Sequence, residues 1–278
     1  MNLNLTFTDL IKEYIIDKNL FFKRSKSKYS LDDILSVIEY VLVTGASWRS
    51  LKLPIFKNKF KWESYYYHFN RWSKLNVFKN VYLQLLNKYM KTNKSGKLKY
   101  LSIDSSFIKN QYANRKDVGF NGHCKKKRLS KLSLIVDSKG VPLSALIKAG
   151  NKSDQELLFS NMNDLFVEIK YTRNNNKHKR YMLADSIYDT KEIKNKCKCL
   201  NIKPLIKFNK RNTKDIKIIK ISKMSKEEKR IYKKRIIVGN TFSWIFKNRR
   251  IINTYDKKKI TYMGFLFMAF TKILLKRM

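Results

Sequence analysis

The spacing of apolar residues along this chain changes character once, at the polar stretch from Thr92 to Lys97, and that change constrains the fold more than any other feature. Before it, Leu31, Ile34, Leu35, Ile38, Val41 and Leu42 recur three and four apart, which is one face of a helix. Ser30 stands where an N-cap is needed, Asp32 and Asp33 fall in the first turn, and Gly45 ends the pattern. Two further helical segments run from about Trp62 to Leu75 and from about Val77 to Met90. Residues 1–95 therefore read as a small all-helical unit.

After the change, short apolar runs with period-two character take over. They lie at Tyr100 to Asp104, Leu132 to Asp137, Val141 to Ile147, Tyr181 to Asp185 and Lys203 to Phe208, and read as five strands. Only Ser138, Lys139 and Gly140 separate the second from the third, which predicts a hairpin. Helical segments fill other gaps, at about Asp154 to Val167, Thr190 to Leu200 and, as one long helix, Lys226 to Ile252. A helix between consecutive strands makes a crossover and favours parallel pairing, so the order predicts an α/β domain at residues 96–278. It is a mixed sheet with flanking helices, in the element order of the ribonuclease H-like fold. A basic stretch near 209–230 reads as an insertion, and the apolar stretch from Ile260 to Leu275, interrupted by Lys272, as a buried terminal helix.

Charge narrows the partner. The chain carries 62 Lys and Arg against 21 Asp and Glu, a net charge of +41, spread along its length. A polyanion is the natural complement, and nucleic acid fits better than membrane because each phosphate neutralised releases counterions. The alternative is an AT-rich coding origin, since Lys, Asn and Ile abound beside only 8 Gly and 3 Pro. Cys124, Cys197 and Cys199 form no CxxC pair and imply neither a disulfide framework nor a zinc site, which points to a reducing, intracellular compartment. Met1 to Leu10 shows no basic region leading into an apolar run, so no signal peptide is expected. His68, His123 and His178 are scattered and read as surface or DNA-facing residues, and no GxxxxGK phosphate loop is present.

Two carboxylates stand out, because Asp104 and Asp185 each close an apolar strand. A buried carboxylate needs partners, and two brought together repel unless a cation lies between them. Divalent metal resolves that conflict: Mg²⁺ takes oxygen ligands and keeps positions for water and phosphate, as phosphoryl transfer requires. Helix capping or turn formation is the better explanation of strand-end Asp residues when they are taken alone. On pattern alone, the N-terminal helices suit both a DNA-reading module and a plain helical bundle with a solvated basic face.

Several ordered segments resemble the IS4/IS5 group of insertion-sequence transposases, of the DDE type. Thr44-Gly-Ala-Ser-Trp-Arg49 and Lys61-Trp-Glu-Ser-Tyr-Tyr-Tyr-His-Phe-Asn-Arg-Trp-Ser-Lys74 are similar to that family's N-terminal region. Ile103-Asp-Ser-Ser106 resembles its first catalytic motif, and Leu183-Ala-Asp-Ser-Ile-Tyr-Asp189 its second. Between these, Leu134 to Leu143 and Gly150-Asn-Lys-Ser-Asp154 resemble the intervening hairpin and helix start. The last match runs from Tyr232 through Arg250.

That resemblance implies Asp104 and Asp185 as catalytic metal ligands for a pair of Mg²⁺ or Mn²⁺ ions. It further implies double-stranded DNA as partner, both terminal inverted repeats and target, with at least a homodimer when two ends are held and no membrane association. Trp48, Arg49, Arg71, Trp72, Lys74, Tyr232, Arg235, Arg249 and Arg250 are the implied DNA-contacting residues. The family's third motif has Tyr, then Arg three residues on, then Glu four further. Tyr232 and Arg235 stand in register, but the Glu position is Gly239. Glu227 and Glu228 lie more than two helical turns upstream.

Two smaller departures accompany this one. Ile187 stands where the family has Gly, and Phe246 where it has a basic residue, with Lys247 adjacent. A decayed or co-opted DNA-binding protein is therefore the alternative to an active transposase. A basic RNA-binding protein is a third reading, one that needs no paired Asp.

Overall fold

A computed structural model describes residues 6–21, 29–51, 61–92, 94–110, 112–121, 127–167, 180–209, 211, 215 and 224–278. Cys124, His123, His178 and most of the basic stretch near 209–230 lie outside the described residues. Two compact units form, and neither is one continuous segment. The first comprises Met1–Tyr89, Ile108–Val118 and Trp244–Met278, and the second Met90–Phe107 and Gly119–Ser243.

The first unit is helical: α1 (Phe7–Asp17), α2 (Leu31–Thr44), α3 (Trp62–Lys74), most of α4 (Val77–Lys91), and from the C-terminal segment α10 (Arg249–Ile252) and α11 (Lys259–Leu275). Both α1 and α2 open on a capping box, Thr6 with Asp9 and Ser30 with Asp33. In the second of these, the Ser30 hydroxyl accepts the Asp33 amide at 3.0 Å while the Asp33 carboxylate accepts the Ser30 amide at 2.9 Å. Ser30→Ala is expected to cost about 1 kcal/mol. Urea unfolding followed by tryptophan emission checks this, since Trp48, Trp62, Trp72 and Trp244 all belong to this unit.

Aromatic rings fill the core. Phe69 of α3 stacks on Phe265 of α11 at 4.2 Å between centroids, and Tyr82 of α4 lies 5.6 Å from Phe270. Gly264 permits the close approach of α11: a β-carbon there would lie 2.6 Å from the Ser73 hydroxyl oxygen and 3.2 Å from the Phe78 ring. The apolar C-terminal stretch is thus a core helix, as its interruption by Lys272 predicts. Among the described residues no helix is long and apolar enough to cross a membrane.

The second unit is an α/β layer in the ribonuclease H-like arrangement. Its strands are β1 (Tyr100–Lys109), β2 (Gly119–Asn121), β3 (Lys127–Val136), β4 (Pro142–Ala149), β5 (Arg180–Ala184) and β6 (Ile202–Ile206), in the order β2-β3-β1-β5-β6 with β4 also paired to β3. β1 and β5 run parallel, as do β5 and β6, whereas β3 is antiparallel to β2 and β4, so the sheet is mixed. The expected hairpin is β3–β4. Its turn is held by Asp137, whose carboxylate accepts the amides of Lys139 and Val141 at 2.8 Å each, and by Gly140 at φ +84°.

Helices α5 (Lys94–Lys97), α6 (Asp154–Asn163), α7 (Lys191–Cys199) and α8 (Lys226–Tyr232) accompany the sheet, with α9 (Ile236–Phe246) beginning in this unit. α6 is pinned by the fully buried Asn161, which donates to Ser133 of β3 at 2.7 Å and accepts from Ser144 of β4 at 2.8 Å. The single long helix expected over Lys226 to Ile252 is instead three helices. The chain tightens to 3₁₀ geometry at Lys233–Arg235. It breaks again before α10, where Asn248 turns its amide onto the Ile245 carbonyl at 3.1 Å in place of a continued helix.

Candidate active site

Asp104 and Asp185 come together through strand register. β1 pairs β5 with Tyr100 opposite Tyr181, Leu101 opposite Met182 and Ser102 opposite Leu183, and each carboxylate follows two residues further on, near enough for the Asp185 charge to act on Asp104. In a parallel pair, opposite residues point to the same face, and neighbouring strands lie about 4.8 Å apart. Asp185 directly follows β5, as expected, and caps the 3₁₀ turn Ser186–Tyr188. Asp104, by contrast, sits in the middle of β1 and does not end it. Beyond Asp104 the half-exposed Ser105 and Ser106 interrupt the apolar run before Phe107 and Ile108 resume it, so the sequence pattern breaks where the strand does not.

Each carboxylate is oriented by the next residue in the chain. Asp104 Oδ1 accepts the Ser105 amide at 2.8 Å, and Asp185 Oδ1 accepts the Ser186 amide at 2.7 Å. Across the site, Arg235 Nη1 lies 3.5 Å from Asp104 Oδ2, with its guanidinium 5.8 Å from the centre of the Tyr232 ring. Burial pushes the Tyr232 hydroxyl above its ordinary range. Tyr232 and Arg235 therefore belong to the acidic pair's surroundings, in the motif order that the sequence predicts.

Two further groups escaped sequence reasoning. Asp154, at the start of α6, accepts a short hydrogen bond from the Ser105 hydroxyl and pairs with Lys131 Nζ at 3.3 Å. Tyr188 is almost wholly buried beside Asp154 and Asp104, and desolvation drives its hydroxyl far above the usual range. The segment Gly150 to Asp154 signalled the first only as a helix start. Ile187 is exposed, and its carbonyl accepts from Gln155 at 2.9 Å, so its bulk does not crowd the turn. Among the described residues, no group of three or more His, Cys, Asp or Glu side chains gathers as a metal site.

The Asp104 carboxyl is held above its ordinary value of 3.8, first by desolvation, with the negative charges of Asp185 and Asp154 adding and the Ser105 amide and Arg235 opposing. A raised folded-state value means that the folded protein binds this proton more tightly than the unfolded chain. Relative to an uncharged side chain, Asp104 therefore loses stability as pH rises from 3.8 through the raised value. Asp104→Asn is expected to raise the melting temperature at neutral pH in the presence of chelator, and to leave it unchanged below 3.8. Melting curves across that pH range check both limbs.

The residues expected to contact DNA divide by exposure. Arg49, Lys74 and Arg249 are exposed and Arg71 is half-buried. Trp48, Trp72 and Arg250 are interior residues, which corrects the sequence expectation for them. Trp48 packs 5.6 Å from Phe69, and Trp72 is fully buried with its indole N–H on the Leu20 carbonyl at 3.4 Å. Arg250 is 1% exposed and bonds Asp256. His68 is half-buried: it packs 5.3 Å from Trp72, and burial lowers its basicity.

The profile of a transposase DDE domain matches residues 96–270. A search of curated proteins gave no match. Among solved structures, the Mos1 mariner paired end complex with Mn is similar over 86% of this chain and 87% of that chain, at 9% identity and a TM-score of 0.26, too distant to bear on the site.

Proposed function

Because the chain belongs to the transposase DDE-domain family, we propose that it binds the ends of a mobile DNA element and cuts and joins strands there, with Asp104 and Asp185 as its acidic pair. The observation that supports this reading is the β1–β5 register, which pairs Ser102 with Leu183 two residues before each carboxylate, together with the influence of the Asp185 charge on Asp104. Their donor chemistry fits Mg²⁺ or Mn²⁺, which the family uses generally: two hard oxygen ligands, each with one oxygen fixed by a backbone amide. When bound, such an ion supplies charge neutralisation for phosphoryl transfer.

The chain's own residues do the rest. Asp104 and Asp185 define the metal side of the pocket. Arg235 offers a planar cation to a phosphodiester oxygen once that oxygen competes for it with Asp104, and Tyr232 supports the guanidinium. The reaction is water attack at the element's end followed by attack of the freed 3′-hydroxyl on target DNA, with catalysis supplied by positioning and charge. The helical unit grips the terminal repeats, the α/β unit carries the chemistry, and holding two ends requires at least a dimer. The motif order supports the IS4/IS5 branch.

One observation favours a second reading, in which the protein occupies ends without cutting them: the third acidic position is Gly239. The test is metal-dependent nicking of a DNA end by the natural protein and by Asp104→Asn. Nicking that disappears in Asp104→Asn supports the first reading, and equal background from both supports the second. Robust nicking that survives the substitution overturns the site.

A further inference from the structure

Within the helical unit, a cavity of about 440 Å³ opens among α2, the end of α9 and the last turns of α11, where Trp244, Lys247 and Asn248 of the last motif meet residues outside every motif, Val43 and those of α11. Val43 and Ile273 contribute to its apolar wall, and Lys247, Lys276 and Arg277 to its cationic one. The Arg277 guanidinium lies 4.1 Å from the centre of the Trp244 ring, which fixes a flexible cation in one place. Lys272, also at the cavity, is taken up by Glu39 at 3.0 Å. Among the described residues, Lys247, Lys276 and Arg277 have no carboxylate partner, and Lys247 and Lys276 are exposed.

Three cations converging on one concavity repel one another, and a fold tolerates that where an anion offsets it in use. The volume falls within the range of about 300 to 1,000 Å³ typical of ligand sites. The occupant must be polyanionic, because three separate cations line the wall, and extended, because the cavity is open to solvent on the Lys247 and Lys276 side. From these features we infer that the cavity is a docking site for the phosphodiester backbone of duplex DNA, distinct from the Asp104–Asp185 pair. The inference rests on the DNA-acting reading above. It adds a contact contributed by the C-terminal helix, where the motif resemblance pointed only to segments ending at Arg250.

The test is the salt dependence of duplex binding by the full chain, measured by fluorescence anisotropy in chelator. Each phosphate contact removed lowers the slope of log affinity against log salt by about 0.9. The triple variant Lys247→Gln, Lys276→Gln, Arg277→Gln is compared with a dispersed control, Lys18→Gln, Lys88→Gln, Lys198→Gln, in which three exposed lysines far apart in sequence lose the same charge. We expect the slope to fall by about 2 to 3 in the first and by less than about 1 in the second.

Equal falls in both variants, or no fall in the first, overturn the site while leaving the DNA-acting reading intact. A fall seen with duplex RNA but not with duplex DNA also overturns it. Failure of the natural protein to bind DNA at all overturns the reading on which the inference rests, and is seen before any variant is made. Should the triple variant melt early, Lys276→Gln alone serves, since its side chain is exposed. A fall of about 0.9 supports the site, and none overturns it.

Discussion

Gly239→Glu is expected to raise metal-dependent DNA nicking at least about 100-fold over the natural protein, the result of restoring about 3 kcal/mol of transition-state stabilisation. Gly239 stands four residues after Arg235, so the introduced side chain leaves the helix on the face that carries Arg235 toward Asp104. A β-carbon at Gly239 meets nothing within 4 Å, so the new side chain enters open space without displacing a neighbour. Gly239 is itself unfavourable in α9, by about 0.8 to 1 kcal/mol relative to Ala, so the substitution also stabilises the helix.

Stability alone is therefore a poor reading of success, and Gly239→Gln separates the two effects. It is expected to raise the melting temperature as Gly239→Glu does, yet to leave nicking at the natural level. Adding Asp104→Asn to Gly239→Glu is expected to return nicking to background. A Gly239→Glu protein that melts higher but cuts no better shows that the missing acid does not belong at this position.

How far the sequence discloses this depends on which physical signal each residue carries. α2 was legible from end to end because Ser30, Asp33 and Gly45 are local signals, read by the backbone atoms next to them. The β3–β4 hairpin was legible for the same reason, through Ser138 to Gly140. The apolar run that stops at Asp104 predicts a strand end there, but β1 continues through the half-exposed Ser105 and Ser106, which interrupt that run. β2 is three residues long and, among the described residues, pairs with β3, so no periodicity could mark it.

Least legible were choices made by tertiary packing. Arg249 and Arg250 are adjacent and chemically identical in the sequence, yet one is exposed and the other is 1% exposed. Trp72 lies in a segment that reads as an aromatic, basic DNA-facing helix, but its ring is core, and its indole N–H meets the carbonyl of Leu20, a residue far from it in sequence. Asp154 carried a helix-start signal and nothing more. Its tie to Ser105 exists only once β1 and α6 are side by side.

The interior position of Arg250 sets the second large effect, a loss of about 3 to 5 kcal/mol of stability in Arg250→Met. Arg250 Nε donates to Asp256 Oδ2 at 3.1 Å and Nη1 to the Ala46 carbonyl at 3.1 Å, while the guanidinium lies 5.2 and 5.3 Å from the Tyr255 and Phe265 ring centres. Both partners of the ion pair are almost wholly enclosed, their side chains 1% and 2% exposed. Removing the cation leaves the Asp256 carboxylate, among the described residues, with only the Thr254 hydroxyl, at 3.0 Å, to offset its charge. That uncompensated charge, more than the lost contact, is the source of the penalty. Arg250→Met with Asp256→Leu is accordingly expected to recover most of the loss, since two apolar side chains of similar size need no partner. A DNA-facing arginine behaves in the opposite way: its removal costs less than about 0.5 kcal/mol and shallows the salt dependence of binding. Arg249→Met, at the exposed neighbouring position, is expected to follow that second pattern. Tryptophan-monitored urea unfolding and salt-dependent anisotropy on the same variants separate the two roles, and an Arg250→Met protein as stable as the natural one refutes the buried pair.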